Sequence, residues 1–201
     1  MFFIVQVDFF KDFNTGLMNR YTFALILSSF IHSAATKAQE LGNIIRQMPD
    51  TIIPTLSKNN VLDFVDYQDS KMKAVVTNNL GYKSEMTTLT TDYAFIRTSS
   101  NSDIQIKLLP LADSSKIVSL VRTVTCDSIN ADSRIEFYTT DWKPLNVSDY
   151  FTFNDKENFS RYILSPDDTS ILVRFTNPLE PNKDVKPRES IILKWNDKKF
   201  E

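Results

Sequence analysis

A chain of 201 residues is long enough for one domain, or two small ones, with a substantial apolar core. Hydrophobic residues at 42%, charged residues at 24%, only three glycines and fifteen phenylalanines exclude fibrous, collagen-like and disordered classes and favour packed strands. The formal charge of −2, with Lys and Arg dispersed among Asp and Glu, argues against nucleic acid as a partner and against a polybasic membrane anchor.

At the N-terminus, Met18, Asn19 and Arg20 form a short polar stretch, residues 21–31 (YTFALILSSFI) an apolar run, and SAATKAQ supplies small residues. These are the three regions of a signal peptide, and cleavage is expected before Gln39. An apolar run of this length falls short of the ~20 residues that a membrane span requires. Residues 1–17 carry Asp8 and Asp12 where a signal needs basic charge, so residues 1–38 read as an over-long start plus signal peptide. The rest, residues 39–201, reads as a single domain with a possible sub-boundary near 146–160. The expected destination is the periplasm or the medium, without a lipid anchor or a transmembrane segment in the mature chain.

Export has a chemical consequence. The single histidine, His32, lies in the segment to be removed, leaving one thiol, Cys126, and no imidazole. Serine or cysteine nucleophiles activated by histidine, and His-rich or Cys-rich zinc sites, are then ruled out. No cofactor is expected, because Gly16, Gly42 and Gly81 are isolated and cannot build a phosphate loop.

From residue 39 to about residue 73 the apolar spacing is helical and interrupted. Leu41, Ile44, Ile45 and Met48 form one stripe before Pro49, and Ile52, Ile53 and Leu56 a second around Pro54. A third helix is expected, capped by Asn59 or Asn60, with Leu62, Val65 and Met72 facing inward. After Lys73 the period becomes two. Strands are predicted over residues 74–77, 82–91, 93–98, around Ile104, Ile106 and Leu108, over 117–124, and around Ile135 and Phe137. Helices followed by strands predict an α+β fold, with short N-terminal helices packed on a mainly antiparallel sheet. DSSKIV at 113–118 is similar to DDTSIL at 167–172, and SRIEF at 133–137 to ESIIL at 189–193, so two repeated three-stranded meanders are an expectation, against chance likeness between hairpins.

The blocks QMPDTIIPTLSKNNVLDFVDY, SKMKAVVTNNLGYKSEMTTLTTDY, IKLLPLADSSKIVSLVRTVTCDS and IEFYTTDWKPL resemble, in order, a family of exported proteins of unknown function from Bacteroidales. The resemblance covers about residues 39–145 and thins beyond them. It implies a signal peptide, a bacterial envelope location and an α+β fold, and brings no activity and no catalytic residues.

Asp63, Asp66 and Asp69, three apart, place carboxylates along one side of a helix and are the weak metal candidates; acids on a solvated helix face are the favoured reading. Ser70 and Lys73 match S-x-x-K without its partner motifs. Glu85, Asp92, Glu136 and Asp141 lie on or near strands, where two close acids would serve glycan hydrolysis. Asn146-Val147-Ser148 and Asn158-Phe159-Ser160 are sequons by pattern. Tyr150, Phe151, Phe153, Phe159 and Tyr162 crowd a polar connection, and are either a recognition surface or a loop packed over the core. Trp142 and Trp195 are expected to close the two meanders. The leading functional reading is a non-enzymatic envelope protein binding another protein or a surface ligand. A carboxylate-dependent glycan hydrolase and a structural subunit of an envelope assembly are the alternatives.

Overall fold

The computed structural model describes residues 40–126, 130–153, 159–176 and 189–201, all within the compact unit Gln39–Glu201. The signal-peptide expectation, His32 and the sequon at Asn158 lie outside the described residues.

Helix α1 (Glu40–Arg46) is the first apolar stripe, with Leu41 and Ile45 buried. The second stripe forms no helix. Pro49 and Pro54 lack the amide a helix needs, and the chain takes isolated turns in which Ile52 and Leu56 donate to Pro49 O and Ile53 O. Helix α2 (Lys58–Asp69) starts one residue after its cap, Ser57, not at Asn59 or Asn60. Ser57 Oγ accepts from the Asn60 N–H and Asn60 Oδ1 accepts from the Ser57 N–H, a reciprocal capping box with Asn in the third helical position. Its buried face is Val61, Phe64 and Val65; Leu62 is half-buried and Met72 exposed, because the helix ends at Asp69 and the chain reverses at Lys71 with φ 56°.

Among the described residues, ten strands follow in two antiparallel sheets. The first is a seven-stranded meander in chain order: β1 (Ala74–Thr77), β2 (Lys83–Leu89), β3 (Tyr93–Ser99), β4 (Ser102–Pro110), β5 (Lys116–Thr125), β6 (Ala131–Thr139) and β7 (Pro144–Leu145). The second holds β8 (Phe159–Leu164), β9 (Ser170–Thr176) and β10 (Ile191–Lys194), with β9 in the middle. The described residues form mainly antiparallel β-sheet with two helices. Of the expected pair of three-stranded meanders, β8–β10 stands as a sheet of its own, whereas β4–β6 is embedded in the larger one. The β4–β5 and β8–β9 hairpins share an Asx turn. Asp113 Oδ1 accepts from the Ser115 N–H, and Asp168 Oδ1 from the Ser170 N–H, both at 2.9 Å. Asp113 therefore corresponds to Asp168 and not to Asp167, the second loop being one residue longer.

Alternation along β4 and β5 divides the core. Ile104, Ile106, Leu108, Val118 and Leu120 share one cluster with Leu41, Ile45, Val61, Phe64 and Val65 of the helices. Trp142 joins this cluster and donates from Nε1 to Ile44 O at 2.8 Å, fastening α1 to the turn after β6. Leu109, Ile117, Val121, Ile135 and Phe137, on the opposite face, share a second cluster with Leu164 and Ile171 of the smaller sheet and with Phe151, Trp195 and Phe200. Both faces of β4 are thereby covered, which is why every residue from Asp103 to Leu109 is buried.

Candidate functional site

The face of the large sheet that meets β8 carries polar side chains where an apolar layer is the ordinary solution. Asp103, Gln105 and Lys107 alternate along β4 and are 8%, 2% and 1% exposed. Gln105 Nε2 donates to Tyr162 O at 3.2 Å while its Oε1 accepts from the Leu164 N–H at 2.8 Å, so one amide side chain stands in for a neighbouring strand along β8. Ser133 Oγ accepts from the Tyr162 N–H at 3.1 Å, and Lys107 Nζ donates to Pro166 O at 3.2 Å beside Asp92 Oδ2 at 2.9 Å. Asp103 Oδ2 lies 3.6 Å from Arg161 Nη2. Burial pushes the Asp103 carboxyl up, against the opposing pull of Arg161, a hydrogen bond from Thr123, and Arg97. Burial and the Asp103 charge push the Tyr93 phenol up to about 12. These groups face one another and the β8 backbone, so their chemistry is that of a polar seam joining two sheets.

An open groove of about 630 Å³ lies at the outer edge of β6. The cause is local. Nine-residue β6 is followed by a two-residue β7, because the chain leaves at Asn146 into a 3-10 turn over Val147–Asp149. Thr139 donates its N–H to Lys143 O and Phe137 faces Leu145. Alternate residues of a strand turn their backbone N–H and C=O to the same side, so Ile135 and Ser133 present theirs to this edge, where β7 no longer runs. The wall opposite is aromatic. Phe151, Phe153 and Tyr162 line the groove with Ser133, Arg134 and Ile135, and Phe151 meets Tyr162 edge-on at 5.2 Å and Phe153 at 6.2 Å. Arg134, its side chain 80% exposed, lies at the groove's edge with Nε 3.3 Å from Glu136 Oε1.

The sequence-predicted aromatics divide among three places. Phe151, Phe153 and Tyr162 come together in the groove. Tyr150 packs away from it, 5.1 Å from the Phe137 ring and 6.2 Å from Trp195. Phe159 stands at the start of β8, 43% exposed. Trp195 belongs to the second cluster and donates from Nε1 to Pro110 O at 2.5 Å, tying the end of β10 to the end of β4.

The other candidates are placed without a shared site. Arg46 Nη2 lies 2.6 Å from Asp66 and 3.0 Å from Asp69, so these two carboxylates already share a guanidinium; Asp63 is not part of that pairing. Among the described residues, no group of three or more His, Cys, Asp or Glu could hold a metal ion. Ser70 ends α2, and Lys73 lies 3.6 Å from Glu85. Glu85 sits in the cross-strand row of Arg97 and Asp103, whereas Glu136 sits in that of Leu120 and Ile106, which places the two acids on opposite faces of the sheet. Glu136 is engaged by Arg122 at 3.1 Å and by the Tyr138 hydroxyl at 3.0 Å, and Asp92 by Lys107. Asp141 lies in the turn after β6, exposed, as is Cys126 at the end of β5. Ser133, Arg134, Ile135 and the seam residues escape sequence reasoning. The departure at Asn146 that ends β7 and opens the edge leaves no mark in the pattern of β6 itself.

Among curated proteins nothing matches. Among solved structures, a domain of an uncharacterised protein from Porphyromonas gingivalis W83, a Bacteroidales organism, is similar with a TM-score of 0.69 and 22% identity, covering 81% of this chain and 98% of that chain. At that identity the likeness speaks for the fold alone. A family model described as "Protein of unknown function (DUF3256)" matches residues 33–180, and by that span the chain belongs to the DUF3256 family.

Proposed function

We propose that this is an exported bacterial envelope protein that acts by binding rather than by catalysis, and that its binding site is the groove between β6 and the aromatic wall. The observation that carries the reading is the juxtaposition of Phe151, Phe153 and Tyr162 with the unpaired edge of β6 and the exposed Arg134. Such a concave, mostly apolar site with a few convergent polar groups is what small-ligand and segment recognition requires. The carboxylates considered for glycan hydrolysis favour binding over that alternative, since Glu85 and Glu136 occupy opposite faces and Asp92 is held by Lys107. Export is supported by the n-region, apolar run and small residues before Gln39. No helix among the described residues is long and apolar enough to cross a membrane.

Two measurements test the reading. Intact mass and N-terminal sequencing of protein from the periplasmic fraction are expected to give a start near Gln39; a product retaining His32 overturns export. Amide NMR of the intact chain, titrated with random octapeptides and with cell-wall oligosaccharides, is expected to move groove resonances. Phe153→Ala is expected to suppress that response. Turnover of the saccharide would favour the hydrolase, and silence with both panels would sink the groove reading.

A further inference from the structure

We infer that the groove takes an extended peptide segment as an additional antiparallel strand on β6; this rests on the binding reading and names its partner class. The register supplies the argument. Residue numbers paired across β6 and β7 are Phe137 with Leu145 and Tyr138 with Pro144, so positions 147 and 149 would face Ile135 and Ser133 had β7 continued. The chain instead coils into the 3-10 turn and leaves those places to another segment. Two residues of one strand edge, each with an outward N–H and C=O, form a ladder at strand spacing that only an extended backbone matches along its length.

The faces of the sheet then fix the chemistry of the segment. Ile135 belongs to the aromatic cluster, on the same side as Phe151, Phe153 and Tyr162, so alternate side chains of the segment meet apolar rings. Arg134 projects on the opposite face, 80% exposed, with Nε 3.3 Å from Glu136 Oε1, and it shares that one carboxylate with Arg122, which lies 3.1 Å from Oε2. The intervening positions of the segment therefore face the net positive charge of two guanidiniums that share one carboxylate. The partner is an extended peptide with apolar residues at alternate positions and an acidic residue between them.

The test selects peptides from a random library displayed on phage against the intact chain, then measures the affinity of synthetic copies. Recovered sequences are expected to alternate apolar with polar or acidic residues and to shift the Ser133 and Ile135 amides. N-methylation at the alternate residues that face β6 is expected to weaken binding about tenfold or more, while methylation at intervening residues changes it little. Arg134→Glu is expected to weaken acidic peptides and leave neutral ones unaffected. Uniform sensitivity to N-methylation, or a helical bound peptide, overturns strand addition. Peptides that fail while oligosaccharides still move the groove resonances also overturn it and leave the groove reading standing; failure of both probes overturns the two together.

Discussion

The two faces of the seven-stranded sheet solve the same burial problem with different chemistry. Toward the helices the strands present Ile104, Ile106, Leu108, Val118 and Leu120, an aliphatic layer closed by Leu41, Ile45, Phe64 and Val65. Toward the smaller sheet the same strands present Asp103, Gln105, Lys107, Ser119 and Thr123, interleaved with Leu109, Ile117 and Val121. The first face is held chiefly by non-directional burial, which tolerates small shifts, with hydrogen bonds such as Trp142 Nε1 to Ile44 O outside the aliphatic layer. The second is held by side chains bonded to one particular backbone, β8, so it fixes where that strand and the adjoining groove wall must lie. Directional attachment is what a preorganised site needs and what an apolar layer alone does not supply.

The largest expected effect is on the aliphatic face. Phe64 is fully buried between α2 and the sheet. Phe64→Ala should cost about 3–5 kcal/mol, the transfer term plus the cavity left where a ring had been. Chemical denaturation should show a lowered midpoint with an unchanged slope, lost cooperatively across both sheets. A second transition confined to the smaller sheet would mean that the two faces are separable units.

Gln105→Leu sharpens the contrast, since it keeps volume and removes direction. Tyr162 O and the buried Leu164 N–H lose their partner, and two stranded backbone groups should cost about 2–4 kcal/mol. Hydrogen exchange should accelerate at Leu164 before it does at Leu120. Equal loss of protection on both faces would show that the seam has no role of its own.

The aliphatic face was legible in the sequence and the polar one was not. Leu41, Ile45, Val65, Ile104, Ile106 and Leu108 announce themselves by period, and strand β1 falls where alternation begins. Asp103, Gln105 and Lys107 show the same period of two but in polar letters, which reads as a solvated face unless the covering sheet is known. That sheet comes from residues 57–59 positions further along the chain, as the Gln105–Tyr162, Gln105–Leu164 and Lys107–Pro166 bonds show, and local pattern carries no information at such separation. The α2 cap was missed for a smaller reason: Ser57 and Asn60 act as a reciprocal pair, so an Asn at the third position is a cap partner and not the cap. The aromatics of the groove were visible by composition, whereas the edge they face depends on how soon β7 stops.

Asp103→Asn gives the smallest and most discriminating effect. Two forces compete at this carboxyl: burial disfavours its charge, and Arg161, Thr123 and Arg97 favour it. If burial prevails, the folded-state pKa lies above the ordinary value of about 3.9. The native state then holds more protons than the unfolded chain between those two values, and stability falls as pH rises through that window. The amide cannot titrate and keeps an acceptor oxygen for Thr123, so the variant should gain on the parent as pH rises from about 4 to 7. Melting temperatures measured across that range decide the matter. Parallel curves would mean that the pull of Arg161, 3.6 Å away, cancels the burial, and a variant that loses ground as pH rises would make the seam an ion-pair device. A gain instead identifies Asp103 as a buried charge retained at a cost in stability, at the position where the two sheets must meet in one register.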